Sequence, residues 1–109
     1  MTSELAPLLT ALADPTRLRV IQLLSTRPRR AGELAAASGT SAPTMSRHLR
    51  VLLRTGIVVD ERPSEDARTR VFRLQPEAIT PLRNWLDELQ AAGDEQLASF
   101  KHLVGRRRA

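Results

Sequence analysis

A chain of 109 residues, 41% hydrophobic and 27% charged, has the composition of one globular domain rather than a disordered segment, and its net charge of +5 favours a polyanionic partner such as nucleic acid or an anionic membrane surface. It has no cysteine, which excludes disulfides, thiolate metal ligands and thiol switches. No apolar run reaches the roughly 18 residues of a membrane span and no signal-type leader is visible, so the chain reads as soluble and cytoplasmic, with no membrane partner.

The first element is a helix over about residues 3–13, where Leu5, Leu8, Leu9 and Leu12 of SELAPLLTALAD fall on one face. Asp14 followed by Pro15 is the expected N-cap and first-turn pair of a second helix. Leu18, Ile21, Leu24 and Val20 mark its buried side, and TRPRR, from Thr26 to Arg30, ends it. A third helix, AGELAAAS, runs from about Ala31 to Ser38, and Gly39 is its left-handed stop. Ser41 caps a fourth helix that Gly56 closes. Met45, Leu49, Leu52 and Leu53 form the apolar side of that helix, and Pro43, Thr44, Arg47, Arg50 and Arg54 stand on the other. Solvated helix faces usually mix charge signs, because opposite pairs at i,i+4 support the helix. This face offers positive charge alone.

From Ile57 the apolar period shortens towards two. IVVDER and RVFRL predict two short strands joined by PSEDART, a polar hairpin loop longer than usual. After Pro76 the helical period returns: Leu82, Leu86, Leu89, Gly93, Leu97, Phe100 and Val104 predict one long helix, about 77–104, followed by the basic GRRRA. The expected fold is mainly α with a small β-hairpin: a winged helix-turn-helix of five helices and a two-stranded wing, forming a single domain over 1–109. The scarcity of aromatics, Phe72, Trp85 and Phe100 only, suits such a helical core and disfavours a β-sandwich.

Charge is unevenly placed. Residues 1–56 hold eight arginines against Glu4, Asp14 and Glu33, whereas the rest of the chain balances nine basic residues with nine acidic ones. Sixteen of the seventeen basic residues are arginine, a bias that suits bidentate contacts to phosphate and guanine and that a GC-rich coding sequence explains equally well.

LADPTRLRVIQLL, GELAAASGTSAPTMSRHLRVLLRTGIV and RVFRL, in that order, resemble the ArsR-type winged-helix transcriptional regulators of bacteria over about residues 10–75. The resemblance implies a homodimeric, sequence-specific DNA-binding protein, usually a repressor released by a ligand. Composition and periodicity alone reach only a basic winged helix.

The N-terminal half of a recognition helix faces base edges, which makes Ser41, Thr44 and Arg47 the sequence readers, with Pro43 beside them. Arg50 and Arg54 suit phosphates. His48 sits nearer the apolar flank, as a DNA contact or as a structural residue. Arg62, Arg68 and Arg70 are the wing's phosphate contacts, from its base, because Glu65 and Asp66 near the tip would repel a phosphate. The long helix has more apolar face than a domain this small can cover, so a second copy is expected on it. With the first helix, which the resemblance adds, the expected dimer contacts are Leu5, Leu8, Leu12, Leu86, Leu89, Leu97 and Phe100, and Trp85 faces either the interface or a small cavity.

Metal sensing is not expected. Where metal-sensing relatives place cysteines before the third helix's acidic residue and leucine, this chain has Arg30 and Gly32 before Glu33 and Leu34, and His102 has no second histidine at ligand spacing. Nor is an enzyme: the carboxylate pairs Asp60/Glu61, Asp87/Glu88 and Asp94/Glu95 read as solvated surface, and no cofactor is implied. The alternative function is a winged-helix module that docks an acidic protein. Control by a small-molecule or protein effector and control without any ligand, through abundance or temperature, are both compatible with the sequence.

Overall fold

The computed structural model describes residues 5–63 and 69–108. The chain divides into two compact units, Met1–Ile79 and Thr80–Ala109.

The first unit begins with α1 (Leu5–Leu12), which buries Leu5, Leu8 and Ala11. Helix α2 (Pro15–Leu24) starts where the Asp14 carboxylate accepts from the amides of Thr16 at 2.8 Å and Arg17 at 3.0 Å, with Pro15 in the first turn where no amide donor is needed. Its buried residues are Val20 and Leu24, one turn apart. Leu18 is 44% exposed, against expectation, because it stands two residues before Val20 and therefore on the opposite side of the helix. The hydroxyls of Ser25 and Thr26 donate to the carbonyls of Gln22 and Leu23 and close the helix.

A short strand, β1 (Arg29–Arg30), follows and leads into α3 (Ala31–Ser38). Glu33 accepts from the Arg30 amide at the start of α3, and Gly39 ends it at φ 66. Helix α4 (Ala42–Thr55) is capped by Ser41 and terminated by Gly56 at φ 79. Both glycines occupy the left-handed region, which is costly for side chains with a Cβ.

Strands β2 (Val58–Glu61) and β3 (Val71–Leu74) pair antiparallel, with Val58 opposite Leu74 and Glu61 opposite Val71. The expected two-stranded wing is the β2–β3 hairpin, and one strand was not expected: β1 adds to the free edge of β3, Arg29 opposite Phe72, to give a three-stranded sheet in the order β1-β3-β2. A two-residue strand has no periodicity to read, and the edge of β3 supplies its pairing partner. Met45, Leu49 and Leu52 of α4 pack with Val20, Leu34, Ile57, Val58 and Phe72 in one core, with α1, α2 and α3 all against α4. Leu53, expected with them, is only half-buried.

After β3 the chain makes a 3-10 turn at Pro76–Ile79, and the second unit is α5 (Thr80–Arg108). The long helix therefore begins three residues later than its period suggested, because Pro81 is favoured in a first turn and not in an interior one. Leu86, Leu89, Leu97, Phe100 and Leu103 are all about half exposed or more along it, 48–62%. No described helix is long and apolar enough to cross a membrane.

Candidate nucleic-acid interface

The candidate surface is the outer side of α4. At 100° per residue its core stripe of Met45, Leu49 and Leu52 lies opposite Pro43, Arg47 and Arg54, with Arg50 beside them. All four are exposed, and the three arginines make no hydrogen bond or ion pair among the described residues. No acidic residue occurs between Glu33 and Asp60 to neutralise them. Arg54 also stands in the last turn, where a cation complements the negative end of the helix dipole.

At the N-terminus, the Ser41 hydroxyl accepts from the Thr44 amide at 3.3 Å and donates to the Thr44 hydroxyl at 2.9 Å. Ser41 is exposed and Thr44 half-buried, so the pair fixes the helix start while the Thr44 hydroxyl keeps its own proton to donate outward.

Of the two readings of His48, its surroundings favour the structural one. Its side chain is 16% exposed, and Nδ1 lies 3.2 Å from Nη1 of Arg17. A guanidinium only donates, so Nδ1 is the acceptor in this contact, and the Asp14 carboxylate lies 3.9 Å from the same atom. Arg17 also donates through Nε to the Ala11 carbonyl at 2.6 Å and through Nη2 to that of Thr10 at 3.3 Å. The DPTR segment thus does two jobs: Asp14 starts α2, and Arg17 satisfies the end of α1 while tying it to α4. The Asp14 carboxyl is held below its ordinary value, chiefly by the Arg17 amide, against an opposing effect of burial and with help from the neighbouring His48, the Thr16 amide and the Arg17 charge. Spacing on α4 placed His48 beside the apolar stripe, but Arg17 is thirty-one residues away in sequence, so no local pattern pairs them.

The sheet presents its arginines differently. Arg70 holds Asp60 through Nε at 2.7 Å and lies 4.8 Å over the Phe72 ring, and Arg73 holds Glu61 at 2.7 Å. Arg70 is therefore an engaged cation rather than an open phosphate contact. Arg62 is exposed, and Arg68, Glu65 and Asp66 lie outside the described residues. Among the described residues, no three side chains of the metal-binding types come together.

Residues 12–61, from α1 through β2, match the family model described as a helix-turn-helix domain. The chain is 40% identical over 77 residues to the HTH-type transcriptional regulator Rv2034 of Mycobacterium tuberculosis, covering 71% of this chain and 69% of that protein. It is 28% identical to the transcriptional repressor SdpR of Bacillus subtilis, covering 80% of this chain and 93% of the repressor. Among solved structures, the homodimeric winged helix-turn-helix DNA-binding domain of Mb0332 from Mycobacterium bovis, a possible ArsR-family regulator, superposes with a TM-score of 0.62 at 28% identity over 86% of this chain and 82% of that one. The chain belongs to the ArsR family of winged helix-turn-helix transcriptional regulators. In this ArsR-type regulator α3 and α4 are the two helices of the helix-turn-helix, Gly39 is in the turn, α4 is the recognition helix, and β2 with β3 is the wing.

The expected dimer contacts in the regulator divide in two. Leu5 and Leu8 are each 3% exposed, because α1 turns that face onto α2 and α4, and so offer a second copy little surface. Leu12 is half-buried, and Leu9, 39% exposed, is the leucine that α1 leaves outward. On α5, Leu86, Leu89, Leu97 and Phe100 are exposed as expected and Trp85 is half-buried. Leu103, three residues after Phe100 and on the same side of the helix, is likewise exposed, to 52%.

Proposed function

We propose that the protein is a homodimeric repressor that binds an inverted-repeat operator in double-stranded promoter DNA, with one α4 in each of two successive major grooves. The observation that carries this reading is the outer side of α4, where Arg47, Arg50 and Arg54 stand exposed with no carboxylate partner among the described residues. Ser41, Thr44 and Arg47 face base edges, Arg50 and Arg54 face phosphates, and Arg62 adds a backbone contact from the base of the wing. Self-association is supported by the exposed apolar stripe of α5, which an isolated copy leaves in water. A binding protein of this kind works without a cofactor and acts in the cytoplasm, where the DNA is.

A salt series on labelled duplexes tests it. Operator affinity is expected to exceed that for a scrambled duplex by about a thousandfold or more, and both affinities should fall steeply with salt as phosphate counterions are released. Equal affinity for the two duplexes would overturn sequence-specific repression. Retention of an acidic protein with no duplex binding would favour an interaction module instead.

A further inference from the structure

An open groove of about 840 Å³ runs along the flank of α4 that adjoins its arginine face, bounded by the start of α3 and by the sheet. Its floor is apolar, made by Leu49, Leu53, Phe72 and Ala31. Its rim carries Arg30, Arg50, Arg62 and Arg70 against, among the described residues, a single carboxylate, Glu33. Glu33 is already held by Arg27 at 3.0 Å and by the Arg30 amide at 3.3 Å, and Arg70 is held by Asp60. The guanidiniums of Arg30, Arg50 and Arg62 therefore have no partner among the described residues.

Duplex DNA accounts for the cations but not for the floor, since a phosphodiester backbone has no apolar body to lay against Leu53 and Ala31. The volume lies within the range of small-molecule sites, roughly 300–1,000 Å³, and an apolar lining with a few convergent charges is their usual chemistry. We propose that this groove binds a small amphipathic carboxylate, its head paired with Arg30 and Arg62 and its apolar body on Leu53 and Ala31. Arg62, paired with the head, is also the wing's contact to the DNA backbone, and Arg50 belongs both to this rim and to the DNA face, so occupation of the groove weakens DNA binding; that consequence rests on the DNA reading above.

Gly32 supplies a clean test. A Cβ built there meets no atom within 4 Å, so Gly32→Leu adds bulk to the groove without disturbing the core, in a helix that prefers leucine to glycine. Decanoate is titrated into the full-length protein and followed by amide and arginine Nε resonances. Saturable shifts are expected at Gly32, Arg50 and Leu53. Arg30→Ala and Gly32→Leu should each weaken binding about tenfold or more, and decanol and inorganic phosphate should bind at least about tenfold more weakly than decanoate, as expected when one charge-assisted contact is lost. Absence of saturable shifts, equal binding by Gly32→Leu, or shifts confined to the exposed leucines of α5 would each overturn the site. Anisotropy of a labelled operator duplex then reads the coupling: decanoate should release the wild-type protein and leave Gly32→Leu bound. Release of both, or of neither, overturns the coupling. Duplex binding without decanoate reports on the DNA reading separately, so the two can fail independently.

Discussion

The arginines of α4 and the two at β3, Arg70 and Arg73, carry the same charge in the same unit and are in opposite states. Arg47, Arg50 and Arg54 have no described partner, whereas Arg70 and Arg73 each hold a carboxylate at 2.7 Å. Register is the cause in the sheet, where β2 places Asp60 and Glu61 across from Phe72 and Val71 and thus diagonally within reach of the neighbouring arginines. On α4 every position three or four residues from an arginine is uncharged or itself arginine, so nothing can pair with them along the helix. A count of charges does not say which of them a polyanion can use. An arginine that must first leave a carboxylate gains little from a phosphate, and one that faces only water gains the whole contact.

The comparison assumes two copies of α4 on one duplex, and breaking that assumption should have the largest effect. Replacing Leu86 and Leu89 together by aspartate should give monomers and lower operator affinity by about a hundredfold or more, since each α4 loses the effective concentration its partner provides. Light scattering that still shows a dimer would place the interface elsewhere.

Within α4 the arginines should separate by role. Arg47→Ala should cost about 1–3 kcal/mol on the operator and relax preference at one base pair, because a guanidinium can hold guanine O6 and N7 together. Arg54→Ala should weaken operator and scrambled duplex alike and reduce the salt slope by about one. Equal losses on both duplexes for Arg47→Ala would move the sequence reading to Thr44, Ser41 or DNA shape.

The inner flank of α4 rests on the clamp of Arg17, His48 and Asp14. Asp14→Ala should lower unfolding stability by about 1 kcal/mol at neutral pH through the lost cap, whereas Asp14→Asn should keep most of it. Because the folded-state carboxyl lies below its ordinary value of 3.8, its contribution is present above that pH and is lost as pH falls through the folded value. Denaturation from pH 7 downward should therefore show the gap between wild type and Asp14→Ala closing in acid. A gap independent of pH would mean that the ionised cap is not what stabilises α2.

The smallest effects are expected in the sheet. Arg73→Ala should change operator affinity by no more than about 0.5 kcal/mol, as for other exposed and already paired charges. Asp60→Asn should do the reverse, releasing Arg70 and raising the salt slope by up to about one. If Arg73→Ala cost as much as Arg47→Ala, the distinction between paired and unpaired arginines would not hold.

Local chemistry was enough for the helices and their ends. Asp14-Pro15, Gly39, Ser41 and Gly56 act through their own backbone and the next few residues, so their meaning could be read one turn at a time. The same holds for the unopposed arginine face of α4, since a helix brings together only residues three or four apart and no acid lies within that reach. What could not be read locally depended on partners distant in sequence. β1 exists because the edge of β3 passes beside Arg29 and Arg30, and Leu18 and Leu5 exchanged their expected exposure because neighbouring helices chose which side of each to cover. His48 turned inward because Arg17 arrives from another helix, and Arg70 became engaged because the register of a hairpin set Asp60 in its path. Caps and periodicity are interactions of near neighbours, while burial and charge pairing belong to surfaces that exist only once the chain has folded.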